Sequence, residues 1–253
     1  MTNYLQNGWI VNLGQAKYLE VLDLQRELVK LRQGQSIPDT LLLVEHEPVI
    51  TLGRRGSTSN ILSSSEQLAS QGIKVRQVER GGDVTYHGPG QLVGYPVIDL
   101  AARKIGVRQF VDLLEETIIL TLADFGLRAG RLSQHRGVWV ENRKVAALGV
   151  AIKRWVSFHG FALNVSPNLD HYCHINPCEL QHEQVTSMAR LLGKAPSMAE
   201  VTKKLLNNFI GLFPGEWREV SPAEVFRRVQ AEDETARAGA GSYDSAQIIR
   251  GNT

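Results

Sequence analysis

Two periodicities alternate along this chain, and together they predict an α+β fold: a mixed β-sheet with helices packed against it. Segments 15–32 and 107–125 carry apolar residues at helical spacing, while short apolar runs bounded by Gly and Pro separate them. A long block, "GVWVENRKVAALGVAIKRWVSFHGFALNVS", reads almost wholly as strand.

Each element follows from local pattern. Residues 8–13 (GWIVNL) predict a short strand. Gln15 to Arg32 predicts an amphipathic helix, with Tyr18, Val21, Leu22, Leu28 and Leu31 on one stripe and Gly34 just beyond. Strands are expected over Leu41–Glu45 and Val49–Leu52, divided by Pro48, which a central strand tolerates poorly. The serine-rich "STSNILSSSEQ" reads as a loop and helix start, leading to the alternating strand "GIKVRQVER". "GGDVTYHGPGQLVGYPVIDL" reads as a glycine-punctuated loop running into an apolar strand. The second long helix, Val107 to Phe125, stacks Phe110, Leu113, Leu114, Ile118 and Leu122 on one face. In the β-rich block a hairpin is expected to turn at Glu141-Asn142-Arg143, because Asn tolerates positive φ. Further helices are expected near 183–193 and 198–211, then a weak helix and a flexible tail from the Ala/Gly-rich end.

Composition bounds the function. Of 253 residues, 43% are hydrophobic and 21% charged, with 28 basic against 26 acidic groups for a net charge of +2. That balance argues against general nucleic-acid binding. No apolar run approaches the roughly 18 residues of a membrane span. The first twenty residues lack the charged, apolar and small-residue order of a secretory signal, and only two cysteines occur, so the cytoplasm is the expected compartment. The sequon Asn164-Val165-Ser166 is then a chance match.

Three motifs carry chemistry. "DHYCHINPCEL" holds both cysteines, Cys173 and Cys178, beside His171 and His174. Four ligands within eight residues lack the paired spacing of structural zinc sites, and a disulfide suits a reducing compartment poorly. Two buried thiols would be the commonplace reading. Pro177 sets a bend before Cys178, and a helical turn starting there would lower the thiol pKa. The loop "RGGDVTYHGPGQLVG" is not a P-loop, and its Gly88, Gly90 and Gly94 miss the dinucleotide fingerprint by one residue. Its glycine density allows close backbone approach to a ligand, or simply a surface loop. In "RKVAALGVAIKR", Lys144 opens a strand of small residues, where alternation places it on the face of Ala146 and Leu148. His159 and Gly160 lie in the neighbouring strand.

Together with "HEPVITLGRRG" and "INPC", these blocks resemble the signature segments of the LipB-type octanoyltransferases, in the expected order over about residues 8 to 213. The resemblance implies a fold similar to the biotin and lipoate protein ligases, itself like the class II aminoacyl-tRNA synthetases and biotin synthetases. It implies octanoyl transfer from octanoyl-acyl carrier protein to a lysine amine on apo-lipoyl domains, those of 2-oxoacid dehydrogenase E2 subunits and the glycine-cleavage H protein. The family's dyad falls on Cys178 as nucleophile and Lys144, which would lower the thiol pKa and exchange protons. Its substrate-lining segments fall on Arg80, Gly81, Gly82, Asp83, Val84, Thr85, Tyr86 and His87, on Ala147, Leu148 and Gly149, and on Gly160, Phe161 and Ala162. The amides of Leu148 and Gly149 are expected oxyanion donors, and the small residues are expected to leave room for the acyl chain. Arg54, Arg55 and Arg80 are expected to meet the acidic carrier. No cofactor, metal, nucleic acid or membrane is implied. Residues 1–217 are expected to form the catalytic domain and 218–253 a partly flexible C-terminal extension. The alternatives on such a fold are an ATP-dependent lipoate or biotin ligase, which needs no thiol, and a lipoyl-domain amidotransferase, which does.

Overall fold

The structure is a computed structural model that describes residues 7–132, 135–176 and 184–241, the last nine through their backbone alone. The chain runs β1 (Asn7–Ala16), α1 (Tyr18–Gln33), β2 (Asp39–His46), β3 (Val49–Leu52), α2 (Ser65–Ser70), β4 (Lys74–Gln77), β5 (Val84–His87) and β6 (Gln91–Val97). It continues through α3 (Val107–Ala123), β7 (Val138–Val140), β8 (Arg143–Lys153), β9 (Val156–Asn164), α4 (Met188–Leu192), α5 (Met198–Leu212), β10 (Glu216–Glu219) and α6 (Pro222–Gly241). This is the expected α+β class.

Among the described residues, one sheet has seven strands in the order β10-β1-β2-β6-β9-β8-β7 and a second has three, β4-β3-β5. Strands β10, β1 and β2 are parallel; β2, β6, β9, β8 and β7 alternate antiparallel. Both faces of the large sheet are covered. On one, Phe110, Leu114, Ile118 and Leu122 of α3 and Val201, Leu205 and Phe209 of α5 close a core over Leu41, Leu92 and Leu163. On the other, Val21, Leu24 and Leu28 of α1 pack with Val225 of α6 over Leu42, Val93 and Val97. Burial on both faces explains why β2, β6 and β9 are rich in apolar residues without the alternation of a half-exposed sheet.

Several local expectations are corrected. The glycine loop after residue 80 is not continuous loop: Val84–His87 form β5, antiparallel to β3. Pro48 divides not merely two strands but two sheets. At the β7–β8 hairpin the positive φ belongs to Glu141 (53°), not to the asparagine. The 183–193 helix begins only at Met188, and residue 183 lies outside the described residues. The division expected after residue 217 falls inside β10, which pairs with β1, and Val220 and Val225 are buried in the core beyond it. The tail from residue 242 lies outside the described residues. Among those described, no helix is long and apolar enough to cross a membrane.

Candidate active site

The small sheet, β6, β9, β8 and the N-terminal end of α3 surround a cavity of about 1030 Å³, at the upper end of the range for small-ligand sites. Lys144 lines it, as do Arg80, Gly82, Asp83, Val84, Thr85, His87, Ala147, Leu148, Gly149, Gly160, Phe161 and Ala162. Two residues expected there do not. Tyr86 alternates away from Thr85 and His87 into the small core, where its ring meets Tyr172 and its hydroxyl meets His171 Nδ1 at 2.6 Å. Gly81 acts through its backbone, donating its N–H to Val150 O at 2.9 Å. Cys178 lies outside the described residues.

A β-bulge decides which way Lys144 faces. In the β7–β8 ladder Trp139 opposes Lys144, yet Val138 opposes Ala146, so Val145 is an extra residue on β8. The insertion shifts the pleat by one. Val145 and Ala146 both enter the α3 core, and Lys144 comes to share the cavity with Ala147 and Gly149 rather than the face of Ala146. Its ammonium stands 5.0 Å from the centre of the Trp139 ring, a cation–π contact. Gly137 packs against its methylenes, and Gly137 N–H donates to Glu115 Oε1 at 3.2 Å. Glu115, on α3, also accepts from Arg131 at 2.9 Å and lies 3.7 Å from Arg136, which pairs with Asp112 at 3.2 Å.

Loop 80–83 is strapped on both sides. Gly53 N–H donates to Asp83 O, Arg54 N–H to Arg80 O and Arg55 N–H to Gly82 O, at 2.9–3.1 Å. Val150 O turns toward Gly81, so alternation puts the Leu148 amide on that same free edge of β8, while the Gly149 amide belongs to the ladder with β9. Of these two amides only that of Leu148 lies outside the β8–β9 ladder. Gly149 and Gly160 permit close backbone approach: a Cβ at Gly149 would sit 2.7 Å from Gly81 O, and one at Gly160 2.2 Å from Gly94 O. Arg80 is buried, with its guanidinium on Thr51 O at 2.7 Å and Gly81 O at 3.0 Å. It braces the loop and presents no docking surface; Arg54 and Arg55 are exposed.

Several cavity residues were not foreseen: Tyr18, Tyr95, Asn164, Tyr172 and the Glu115–Arg131–Arg136 cluster. The signal available was a polar or titratable residue inside an apolar run, as in "LLLVEH", "QLVGYPV" and "FHGFALN". His46 donates from Nδ1 to Ala16 O at 3.0 Å, which leaves Nε2 to accept from Tyr95 hydroxyl at 2.8 Å. Burial pushes His46 down to about 4, His87 to about 3 and His159 to about 4, and pushes Tyr18 up to about 12. This wall is therefore neutral at physiological pH. The four-ligand reading of the cysteine segment is not supported by its histidines: His174 Nδ1 meets Ser63 Oγ at 2.7 Å and Nε2 meets Gln71 Oε1 at 2.9 Å. Cys173 is exposed.

Residues 17–210 match the family described as the lipoyl protein ligase A/B catalytic domain. An octanoyltransferase from Caldicellulosiruptor bescii is 50% identical over 203 residues, covering 79% of this chain and 89% of that protein. The crystal structure of lipoate-protein ligase A bound with ATP superposes with a TM-score of 0.71 at 17% identity, covering 89% of this chain and 93% of that one. A bi-partite lipoate protein ligase from Thermoplasma acidophilum, studied with its E2 lipoyl domain, gives 0.69 at 17% identity, covering 90% and 91%. The last two establish likeness of fold.

Proposed function

We propose, on the premise that the chain belongs to the octanoyltransferases of the lipoyl protein ligase A/B catalytic-domain family, a two-step transfer through Cys178. As a member it is an acyltransferase. In the first step the Cys178 thiolate attacks the thioester carbonyl of octanoyl-acyl carrier protein. The carbon–sulfur bond to the carrier breaks, and the carrier sulfur leaves as a thiol with the proton given up by the Lys144 ammonium, which becomes neutral. In the second, the neutral amine of a lysine on an apo-lipoyl domain attacks the acyl-cysteine. An amide forms, Cys178 leaves as thiolate, and Lys144 accepts the amine's proton. The Lys144 ammonium favours the thiolate that opens the cycle, and Leu148 N–H serves the tetrahedral oxyanion.

One observation carries this reading: both flanks of the Cys178 segment are anchored at the cavity. On the near side Asn176 N–H donates to Asn60 O at 2.8 Å, and Asn60 in turn donates to Asp83 at 2.7 Å. On the far side Val185 bridges to Lys144, and Thr186 N–H donates to Lys144 O at 2.9 Å. Exposed Arg54 and Arg55 suit an acidic carrier, and reversing both charges is expected to weaken carrier use most at low salt.

Intact mass spectrometry after mixing with octanoyl-acyl carrier protein tests the pathway. The expected result is a gain of one octanoyl group that Cys178→Ser abolishes and Cys173→Ser retains. Label persisting in Cys178→Ser would sink the assignment.

A further inference from the structure

We infer that Asn164 and Gln91 act as positioning residues that hold His87 in its Nδ1-protonated tautomer, so that its Nε2 accepts a hydrogen bond from the incoming lysine amine. The role rests on the proposed transfer step; the tautomer does not.

The assignment starts from a group with no freedom. Thr186 O is a carbonyl and can only accept, so the Asn164 atom 3.0 Å from it is the amide nitrogen, and Asn164 Oδ1 points the other way. That oxygen faces Gln91 at 2.9 Å and the Tyr172 hydroxyl at 3.3 Å, so the Gln91 atom toward it is Nε2. A second carbonyl agrees: Gln91 Nε2 also lies 3.2 Å from Tyr86 O. Gln91 Oε1 is thereby left to His87 Nδ1 at 2.7 Å, and this nitrogen must carry the proton. Gln91, Asn164 and Thr186 are at most 2% exposed, so these hydrogen bonds are shielded from bulk solvent. Gln91 and Asn164 are direct cross-strand partners on β6 and β9, which fixes the relay into the sheet. Its far end reaches Lys144 through the Thr186 N–H.

His87 lines the cavity, and its ring stacks on Tyr18 with centroids 5.8 Å apart. With Nδ1 committed to Gln91, Nε2 is the ring nitrogen that a ligand can use. The groups around it are Tyr18 of α1, His46 of β2, Arg80 of the strapped loop and His159 of β9; burial, His46 and Arg80 hold the ring neutral, with a pKa of about 3. So weak a base leaves the amine's proton to Lys144 and serves as an acceptor. An acceptor at this point takes an N–H and leaves the amine's lone pair for the acyl carbon. The opposite tautomer, or an imidazolium, would bind that lone pair itself and block attack.

The test has two arms. Long-range 1H–15N correlation on the unacylated, 15N-histidine-labelled protein should show His87 protonated at Nδ1 alone from pH 5 to 8. This arm gives its answer whether or not an acyl-cysteine forms; a protonated Nε2 would overturn the inference. In single-turnover kinetics, Gln91→Glu keeps an acceptor for Nδ1, loses the donor to Asn164 Oδ1 and Tyr86 O, and adds a charge that raises the His87 pKa. Transfer to a lipoyl-domain lysine should then fall about tenfold below that pKa and recover above it, the worth of one hydrogen bond. Should that variant fold poorly, His87→Phe keeps the stack and removes the acceptor, and transfer should fall about tenfold more than acylation does. Equal loss in both half-reactions for the variants that fold would overturn the role.

Discussion

At one end of the cavity His87, Gln91, Asn164 and Tyr172 are buried, neutral and joined by hydrogen bonds. At the other, Glu115, Asp112, Arg131 and Arg136 carry full charges, and the arginines reach solvent. Lys144 belongs to both: Thr186 ties its backbone to the first, and it packs against Gly137, which Glu115 of the second holds. The contrast is one of tolerance. In a dry, neutral network each donor must meet an acceptor, so atom identity propagates from one residue to the next and an unmatched atom is costly. Glu115 is itself buried, but Asp112, Arg131 and Arg136 are partly exposed, so water screens their charges and fills gaps on that side, and geometry there is forgiving. A site built this way keeps its chemistry fixed where the substrate is desolvated and leaves the wet end free to adjust.

The largest expected effect comes from adding one carbon to the dry side. Gly160→Ala would place a Cβ 2.2 Å from Gly94 O and 2.7 Å from Pro96 Cδ, both on the paired strand β6. Neither can rotate away, so the ladder must open. A loss of about 3 kcal/mol is expected, read as a lower urea midpoint with unchanged slope. A shift within error would show that this wall has the slack the comparison denies it.

Acid probes the same wall more gently. His46, His87 and His159 are held by burial near 4, 3 and 4, below the value of about 6.5 expected in the unfolded chain. The unfolded state therefore binds the extra protons. Their contribution is complete above about pH 6.5 and is lost as pH falls through about 4 for His46 and His159 and about 3 for His87, by up to about 1.4 kcal/mol per pH unit for each histidine. Urea titrations between pH 7 and 5 should show this slope, and His46→Asn should lower it by one histidine's share. An unchanged slope in that variant would mean that His46 is not held neutral.

The fold was legible wherever burial leaves a period in the sequence. The stripes of α1 and α3 and the apolar runs of β2, β6 and β9 are direct imprints of a sheet covered on both faces. What escaped lies where one residue changes the geometry. β5 was hidden because "VTYH" is only four residues long in a glycine-rich stretch, and its pairing with β3 is a long-range event. The Val145 bulge leaves no mark in composition, so simple alternation put Lys144 on the wrong face. Arg80 read as a docking cation because its acceptors, Thr51 O and Gly81 O, are backbone atoms that no motif records. Asn164 drew notice only as a sequon, although an amide in mid-strand at 2% exposure must have partners.

The smallest effect is expected at the wet end. The Arg136 side chain is 58% exposed and pairs with Asp112, itself 45% exposed, at 3.2 Å, with Glu115 farther off at 3.7 Å. Solvent screening and side-chain entropy offset most of such an attraction. Arg136→Ala is expected to cost no more than about 0.5 kcal/mol, and less still in high salt. A double-mutant cycle with Asp112→Ala isolates the pair from the lost packing of the arginine stem. A coupling above about 1 kcal/mol, insensitive to salt, would put this cluster in the same rigid class as the His87 relay. Glu115 would then hold the Gly137 wall against Lys144 as firmly as Thr186 holds its backbone, and the two ends of the cavity would differ in charge alone.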